Sequence, residues 1–194
     1  MISRRAFIAA GALLPLAARA QAAAGVVHEL SGEVLLNGFT MDVNSVLSPG
    51  QTLSTGADGR IWFSFGADAF FLRPGSRLRL EAARPSEPLI DFLRLVSGAL
   101  GATFAKGRRR SLVTSTTTLG IRGTGVYVEA SRDETYACTC FGTVEIGAVT
   151  VEARQHEARY ILRSGTVAPA AFERHTNGEM IRLESLVGRP DPFR

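Results

Sequence analysis

The sequence predicts an all-β domain, built as a β-sandwich or jelly roll or as a short β-solenoid, with one amphipathic helix near the C-terminus. Three observations support this fold class. Between the turns the apolar positions alternate with polar ones, as they do in half-buried strands, and helical periodicity is almost absent. Turn-forming pairs recur roughly every ten residues, which is the spacing of short strands in sandwiches and barrels. Those pairs are Asn37-Gly38, Pro49-Gly50, Asp58-Gly59 and Pro74-Gly75.

Residues 1–22 predict a cleaved export signal of the twin-arginine type. Its residues stand in the order typical of that signal: Ser3, Arg4, Arg5 and Phe7. The apolar run that follows, 9–18, is too short to span a bilayer, and cleavage after Ala20 or after Ala22 fits the small-residue pattern of a signal peptidase. An ordinary secretory signal that contains an arginine pair is the alternative. We therefore expect a periplasmic protein of a Gram-negative bacterium, exported by the twin-arginine route.

The mature domain is expected to be almost neutral. The sequence has 22 Lys and Arg against 18 Asp and Glu, and three of the arginines lie in the signal. The pI of about 9.7 therefore overstates the charge of the mature domain, and we expect no nucleic-acid partner. The remaining chain of roughly 170 residues is long enough for one domain with a hydrophobic core. It contains no second apolar stretch of membrane-spanning length, so we expect no stable membrane span after signal cleavage.

The C-terminal extension, 168–194, predicts one helix over about 177–187. Thr176 followed three residues later by Glu179 forms a capping box, in which each side chain binds a backbone N–H of the other residue. Gly188 and Pro190 end the helix. The apolar residues of this segment are spaced to lie on one helical face: Met180, Leu183, Leu186 and Val187.

The order of turns and strands resembles that of the FecR domain, the extracytoplasmic β-domain of iron-dicitrate-type regulators. The segments that carry the resemblance are 32–38, 47–50, 53–59, 74–78 and 113–124. The resemblance implies a β-domain over 26–167 that senses or docks a partner in the periplasm. Regulators of this family relay a signal to a sigma factor through a membrane helix and a cytoplasmic segment. We expect neither here after the signal is cut, and so interpret the chain as a stand-alone exported member.

The segment Gly120-Ile121-Arg122-Gly123-Thr124 is the most distinctive part of the resemblance, and we predict a bend between two strands at this point. Gly120 and Gly123 permit backbone angles that other residues avoid. The guanidinium of Arg122 can donate to backbone carbonyls or to a carboxylate. We interpret Arg122 as a structural clamp on the bend, with ligand binding as the alternative.

Cys138 and Cys140 are expected on one strand, where residues i and i+2 face the same side with Cα atoms about 6.5–7 Å apart. That distance is at the outer limit for a disulfide. Three interpretations stay open: a pair of small buried side chains, a strained or redox-active disulfide, and a metal site. In the last case His156, predicted in a strand, and His175, beside the helix cap, complete a set of sulfur and nitrogen ligands for a single zinc or iron ion.

No catalytic motif stands out in the sequence. A Gly-x-Ser-x-Gly elbow, a phosphate-binding glycine loop and a His-Glu-x-x-His helix are all absent, so we expect no enzyme. The function we predict is a non-enzymatic periplasmic binding, sensing or scaffolding module that docks a partner protein or an envelope ligand. The alternative is a metal-binding or redox protein that uses Cys138 and Cys140 with His156 and His175.

Overall fold

The computed structural model describes residues 24–82 and 90–194. Within these residues the chain is mostly β-strand with one short helix near the C-terminus, so the predicted all-β class is confirmed. No helix in the described part of the chain is both long and apolar enough to cross a bilayer. The residues of the predicted export signal lie outside the described residues: Ser3, Arg4, Arg5, Phe7, Ala20 and Ala22.

The strands follow one another through short turns. They are β1 (Val26–Ser31), β2 (Val34–Leu36), β3 (Phe39–Thr40), β4 (Thr52–Thr55), β5 (Arg60–Phe65), β6 (Asp68–Leu72), β7 (Arg77–Glu81), β8 (Phe92–Thr103), β9 (Arg109–Val113), β10 (Thr118–Ala130), β11 (Glu134–Ile146), β12 (Val149–Ala153), β13 (Glu157–Leu162) and β14 (Val167–Ala170). The helix α1 (Asn177–Leu186) follows them.

One continuous sheet folds into two layers, because its three long strands, β8, β10 and β11, each belong to both. The first half of β10 pairs with β9, whereas its second half pairs with β8. In the same way β11 pairs with β13 through its first half and with β12 through its second half. We call the layer that contains β5, β6 and β13 layer A, and the layer that contains β4, β7, β9 and β12 layer B.

The pairing distinguishes between the two predicted architectures. Among the described strands every pair is antiparallel except β8 with β9. A solenoid stacks parallel strands from successive coils, whereas sandwiches are built from antiparallel strands joined by hairpins. The fold is therefore a sandwich with shared, bent strands.

The predicted bend at 120–124 lies inside a single strand, β10, and not between two strands. Between the pairs Arg122–Thr143 and Gly125–Phe141, β10 contains one residue more than β11, which is a β-bulge. Gly123 has a φ of 56°, a left-handed conformation that favours glycine. Sequence periodicity does not reveal a bulge, because a bulge interrupts the ladder without ending the strand.

The other residues of that segment are held by strand pairing, by burial or by an ion pair. Gly120 lies in the regular part of β10, opposite Glu145 on β11, and Thr124 is fully buried. The Arg122 guanidinium lies 3.2 Å from a carboxylate oxygen of Glu145, in a solvent-exposed ion pair. Such pairs contribute between about 0 and 1 kcal/mol.

Two apolar clusters stabilise the fold, and strand alternation decides which residues join each one. The first fills the space between layers A and B and includes Phe63, Phe70 and Leu93. The second lies on the outer face of layer A, where α1 covers it, and includes Trp62 and Tyr127. α1 contributes its buried Met180 and Leu183 to this second cluster, so the predicted helix and its apolar face are confirmed.

Candidate metal centre

The strand β11 brings both cysteines to the outer face of layer A. Cys138 and Cys140 are two residues apart and belong to the outer apolar cluster, whereas Ala137, the residue before Cys138, packs between the layers. Both cysteines are free thiols and both are buried, with 1% and 0% of their surface exposed. The alternation of side chains along β11 therefore places the two sulfur atoms side by side, beneath the C-terminal part of the chain.

His156 lies in the turn between β12 and β13, not in a strand as the sequence predicted. Its φ is 43°, in the left-handed region that few residues other than glycine adopt. Its backbone N–H donates to the carbonyl oxygen of Cys140 at 3.0 Å. This turn directs the imidazole toward β11, with Nδ1 3.6 Å from the Cys138 Sγ.

His175 reaches the same place from the other side, because it directly precedes the first turn of α1. The predicted capping box is present: the Thr176 hydroxyl accepts from the Glu179 N–H, and the Glu179 carboxylate accepts from the Thr176 N–H. The buried His175 ring places Nε2 3.1 Å from the Cys140 Sγ. The Glu179 carboxylate also accepts from the Arg73 guanidinium at 2.7 Å, which ties the cap to the β-sandwich.

The four side chains form one compact group, which we call the Cys2His2 cluster: Cys138, Cys140, His156 and His175. One ligand atom from each residue lies within 4.8 Å of those of all the others. The residues are up to 37 positions apart in the chain and come from a strand, a turn and a helix start. Two sulfur and two imidazole ligands in one place are a donor set that suits a single zinc ion.

Two ring contacts and one hydrogen bond orient the histidines. The Asn177 Oδ1 lies 2.6 Å from the His156 Nε2, so it accepts the proton there and leaves the Nδ1 lone pair facing Cys138. The Phe172 ring stacks on the His156 ring with 3.8 Å between centroids. The Tyr127 ring stacks on the His175 ring at 4.4 Å. These contacts limit the rotation of both imidazoles.

Tyr127 is itself held firmly behind His175. Its hydroxyl donates to the Glu129 carboxylate at 2.6 Å and accepts from the Arg73 Nε at 3.0 Å. Burial and the hydrogen bond to Glu129 raise the pKa of Tyr127, so its hydroxyl keeps its proton. Sequence analysis did not identify Tyr127, Asn177 or Phe172, because none of them belongs to a local pattern and each meets the cluster only through the tertiary fold.

The surroundings favour the uncharged forms of Cys140, His156 and His175 in the metal-free protein. Burial lowers the pKa of His175 to about 3, with the nearby His156 and Arg73 adding to the effect. Burial also lowers the pKa of His156 and raises the pKa of the Cys140 thiol. Within the described residues the His175 Nδ1 is buried without a hydrogen-bond partner. Neutral imidazoles are ready to coordinate a cation, while the thiols must lose their protons when it binds.

Comparisons with solved structures support the fold. Two structures of a candidate anti-sigma factor from Parabacteroides distasonis align with this chain, each with a TM-score of 0.51. The first is 11% identical and covers 63% of this chain and 60% of that protein; the second is 12% identical and covers 68% and 71%. Since the identity is so low, this likeness shows a shared β-fold and nothing about ligands. The alignment with the first structure spans less than two thirds of that protein.

Neither a protein-family model nor a curated protein matches the sequence. The FecR resemblance therefore stays an interpretation of the order of turns.

Proposed function

We propose that this protein is an exported, non-enzymatic β-domain that binds one metal ion, zinc in the first place, through the Cys2His2 cluster. The observation that carries the proposal is the convergence of the four ligand atoms to within 4.8 Å of one another. Around a tetrahedral zinc ion, ligand atoms are separated by roughly 3.3–3.8 Å, given Zn–S and Zn–N bonds of about 2.3 and 2.0–2.1 Å. A pair of ligand atoms at the upper limit of 4.8 Å would thus need to approach by about 1.0–1.5 Å.

The composition of the site favours a closed centre over a catalytic one. Catalytic zinc sites keep a position open for water or substrate, whereas four protein ligands leave none. The cysteines are buried in the apolar cluster that α1 joins, so a substrate does not reach their sulfur atoms directly. A closed centre stabilises or reports on the fold, which agrees with a sensing role.

The same residues also resemble the arrangement of a thiol hydrolase. Cys138, His156 and Asn177 stand in the order of a nucleophile, a base and an orienting group. A nucleophile has to meet a substrate carbonyl, yet Cys138 is 1% exposed. Burial also raises the pKa of the adjacent Cys140 thiol, the opposite of what activates a cysteine. Metal binding therefore accounts for the site better than hydrolysis.

Metal content of the purified mature chain tests the proposal. We expect close to one zinc per chain after reduction, reloading and desalting, with both thiols protected from a thiol reagent until a chelator is added. Cys138→Ser should weaken zinc binding by more than the 10–100-fold that loss of an outer-shell partner costs. His28→Gln is the matched control, because His28 lies on β1 and contacts the Ser64 hydroxyl instead. A reloaded chain with negligible metal and two reactive thiols would disprove the proposal, and bound iron would change the metal but not the site.

A second role, docking of a partner protein in the periplasm, is favoured by a separate observation. Several large apolar side chains near β3 and the start of β1 are exposed, the most exposed being Phe39 at 78%. The others are Val26, Val43 and Val46. The fold likeness to a candidate anti-sigma factor and the FecR resemblance agree with a sensing or regulatory role. Pull-down from an envelope extract with wild type and Phe39→Ser tests this role, and equal recovery of every protein by both would refute a contribution from this surface.

A further inference from the structure

The Cys2His2 cluster joins three separate parts of the fold. Cys138 and Cys140 belong to β11, and His156 to the turn before β13. His175 belongs to the C-terminal segment, by which we mean residues 172–194, comprising Phe172, α1 and the tail. An ion bound by all four ligands is therefore a cross-link between the sandwich and this segment.

The C-terminal segment touches the cluster at both of its ends as well as through His175. Near its start, Phe172 stacks on His156 and Asn177 accepts the hydrogen bond from His156. At its end, the Phe193 ring lies 5.1 Å from the His156 ring and 5.8 Å from that of Phe141. The cluster and the segment are thus one packing unit.

Away from the cluster, the segment is held by a small apolar contact and by several side-chain hydrogen bonds and ion pairs to the sandwich. α1 has only ten residues, and an isolated helix of that length is marginal in water. It rests on layer A through the buried Met180 and Leu183, and through a polar network in which Arg189 donates to Thr103 at 2.9 Å and pairs with Glu184. These ion pairs are partly exposed to solvent and contribute little each, so a bound ion that joins His175 to β11 would strengthen the docking of the segment.

We propose that the metal ion controls the docking of the C-terminal segment: binding of the ion fastens the segment onto layer A, and loss of the ion releases it. This inference rests on the proposed metal binding. Binding of a zinc ion displaces the protons of the two thiols to solvent and forms two Zn–S and two Zn–N bonds. Release of the segment uncovers the aromatic surface beneath it, which includes Trp62 and Phe71.

The chain contains its own reporter for this change. Trp62 is the single tryptophan of the sequence, lies on β5, and is 9% exposed. The Arg182 guanidinium of α1 covers its ring, 4.1 Å from the centroid. Among the described residues the Trp62 ring contacts Phe71 and Arg182 and none of the four ligand residues, so its fluorescence reports the position of α1.

The experiment follows Trp62 emission and acrylamide quenching in the reduced mature chain, with zinc and then with excess chelator. We expect chelation to shift the emission to longer wavelength and increase quenching, and zinc to reverse both. Hydrogen exchange of the α1 amides should accelerate in parallel. Asn177→Ala should raise the zinc concentration at the midpoint by about 10–100-fold, because it removes the partner that orients His156. His28→Gln should behave as wild type.

The two proposals fail in different ways. If the chain binds one zinc but the emission of Trp62 and the exchange of α1 are the same with and without it, the docking inference is overturned while metal binding stands. If the chain binds neither zinc nor iron, metal binding itself is wrong. Wild-type protein alone gives this distinction, so a variant that fails to fold does not prevent a decision.

Discussion

Replacement of Gly142 by alanine tests the bend that carries β11 from layer A to layer B. Gly142 follows Cys140 by two residues and has a φ of 89°. A Cβ atom at this position would lie 2.6 Å from the Cβ of Thr124 and 2.5 Å from its Oγ1. Thr124 is fully buried and its Cβ is fixed to the backbone, so the contact forces the two strands apart.

The expected loss of stability has two parts. An L-residue in the left-handed region costs about 1–2 kcal/mol. Forcing an extra carbon into a packed site typically costs about 1–3 kcal/mol more. Gly165→Ala is the matched control, because Gly165 has a φ of 87° but no atom within 4 Å of the added carbon. We expect Gly142→Ala to lower the free energy of unfolding by about 2–5 kcal/mol and Gly165→Ala to lower it by about 1–2 kcal/mol.

Urea denaturation followed by circular dichroism measures both free energies of unfolding by linear extrapolation. The difference between the two variants isolates the contact with Thr124, since the φ angles at the two positions are nearly equal. Equal destabilisation by the two substitutions would show that the bend tolerates a side chain and that the packing argument is wrong.

Three further predictions concern burial and charge. Asp68→Asn should lower the free energy of unfolding by about 3–5 kcal/mol, because the Asp68 carboxylate is the buried partner of the Arg110 guanidinium at 2.7 Å. Glu145→Gln removes an exposed ion pair and should lower it by less than about 1 kcal/mol. The urea midpoints of the two variants test this difference. Leu183→Ala should cost about 2–5 kcal/mol, because it opens a cavity under α1, and a thermal scan with an unchanged midpoint would contradict it. The metal-free protein should lose stability as the pH falls from about 6.5 toward 3, because in this range His175 is protonated only after unfolding. The expected slope is about 1.4 kcal/mol per pH unit, and His175→Gln should flatten it.

Short sequence patterns predicted correctly those features that depend on neighbouring residues in the chain. The capping box at Thr176 and Glu179 and the extent of α1 are confirmed, because a helix start is a short-range pattern of side chain and backbone. The alternation around Cys138 and Cys140 was enough to place both thiols on one face. The prediction of a strand at His156 was wrong, since this residue lies in a turn and has a positive φ. Its flanking residues are not strong turn formers, so the sequence did not indicate that the strand ends before it.

The bend at 120–124 shows a different limit. The glycines in this segment indicate an unusual backbone, but they do not say whether the chain ends one strand there or continues with a bulge. That choice depends on the neighbours, since β10 pairs with β9 before the bulge and with β8 after it. The pairing of β10 with these two strands therefore decides that the chain continues through a bulge.

The sequence by itself determined the all-β class, the single C-terminal helix and the four residues that could form a metal site, because each follows from composition, spacing or a capping pattern. Only the tertiary structure decided that those four residues meet. His156 and His175 are directed to the cysteines by a left-handed turn and by the docking of α1, and Asn177, Phe172 and Tyr127 join them through contacts between segments that are far apart in the chain. Long-range packing fixes such distances, and no local pattern encodes it.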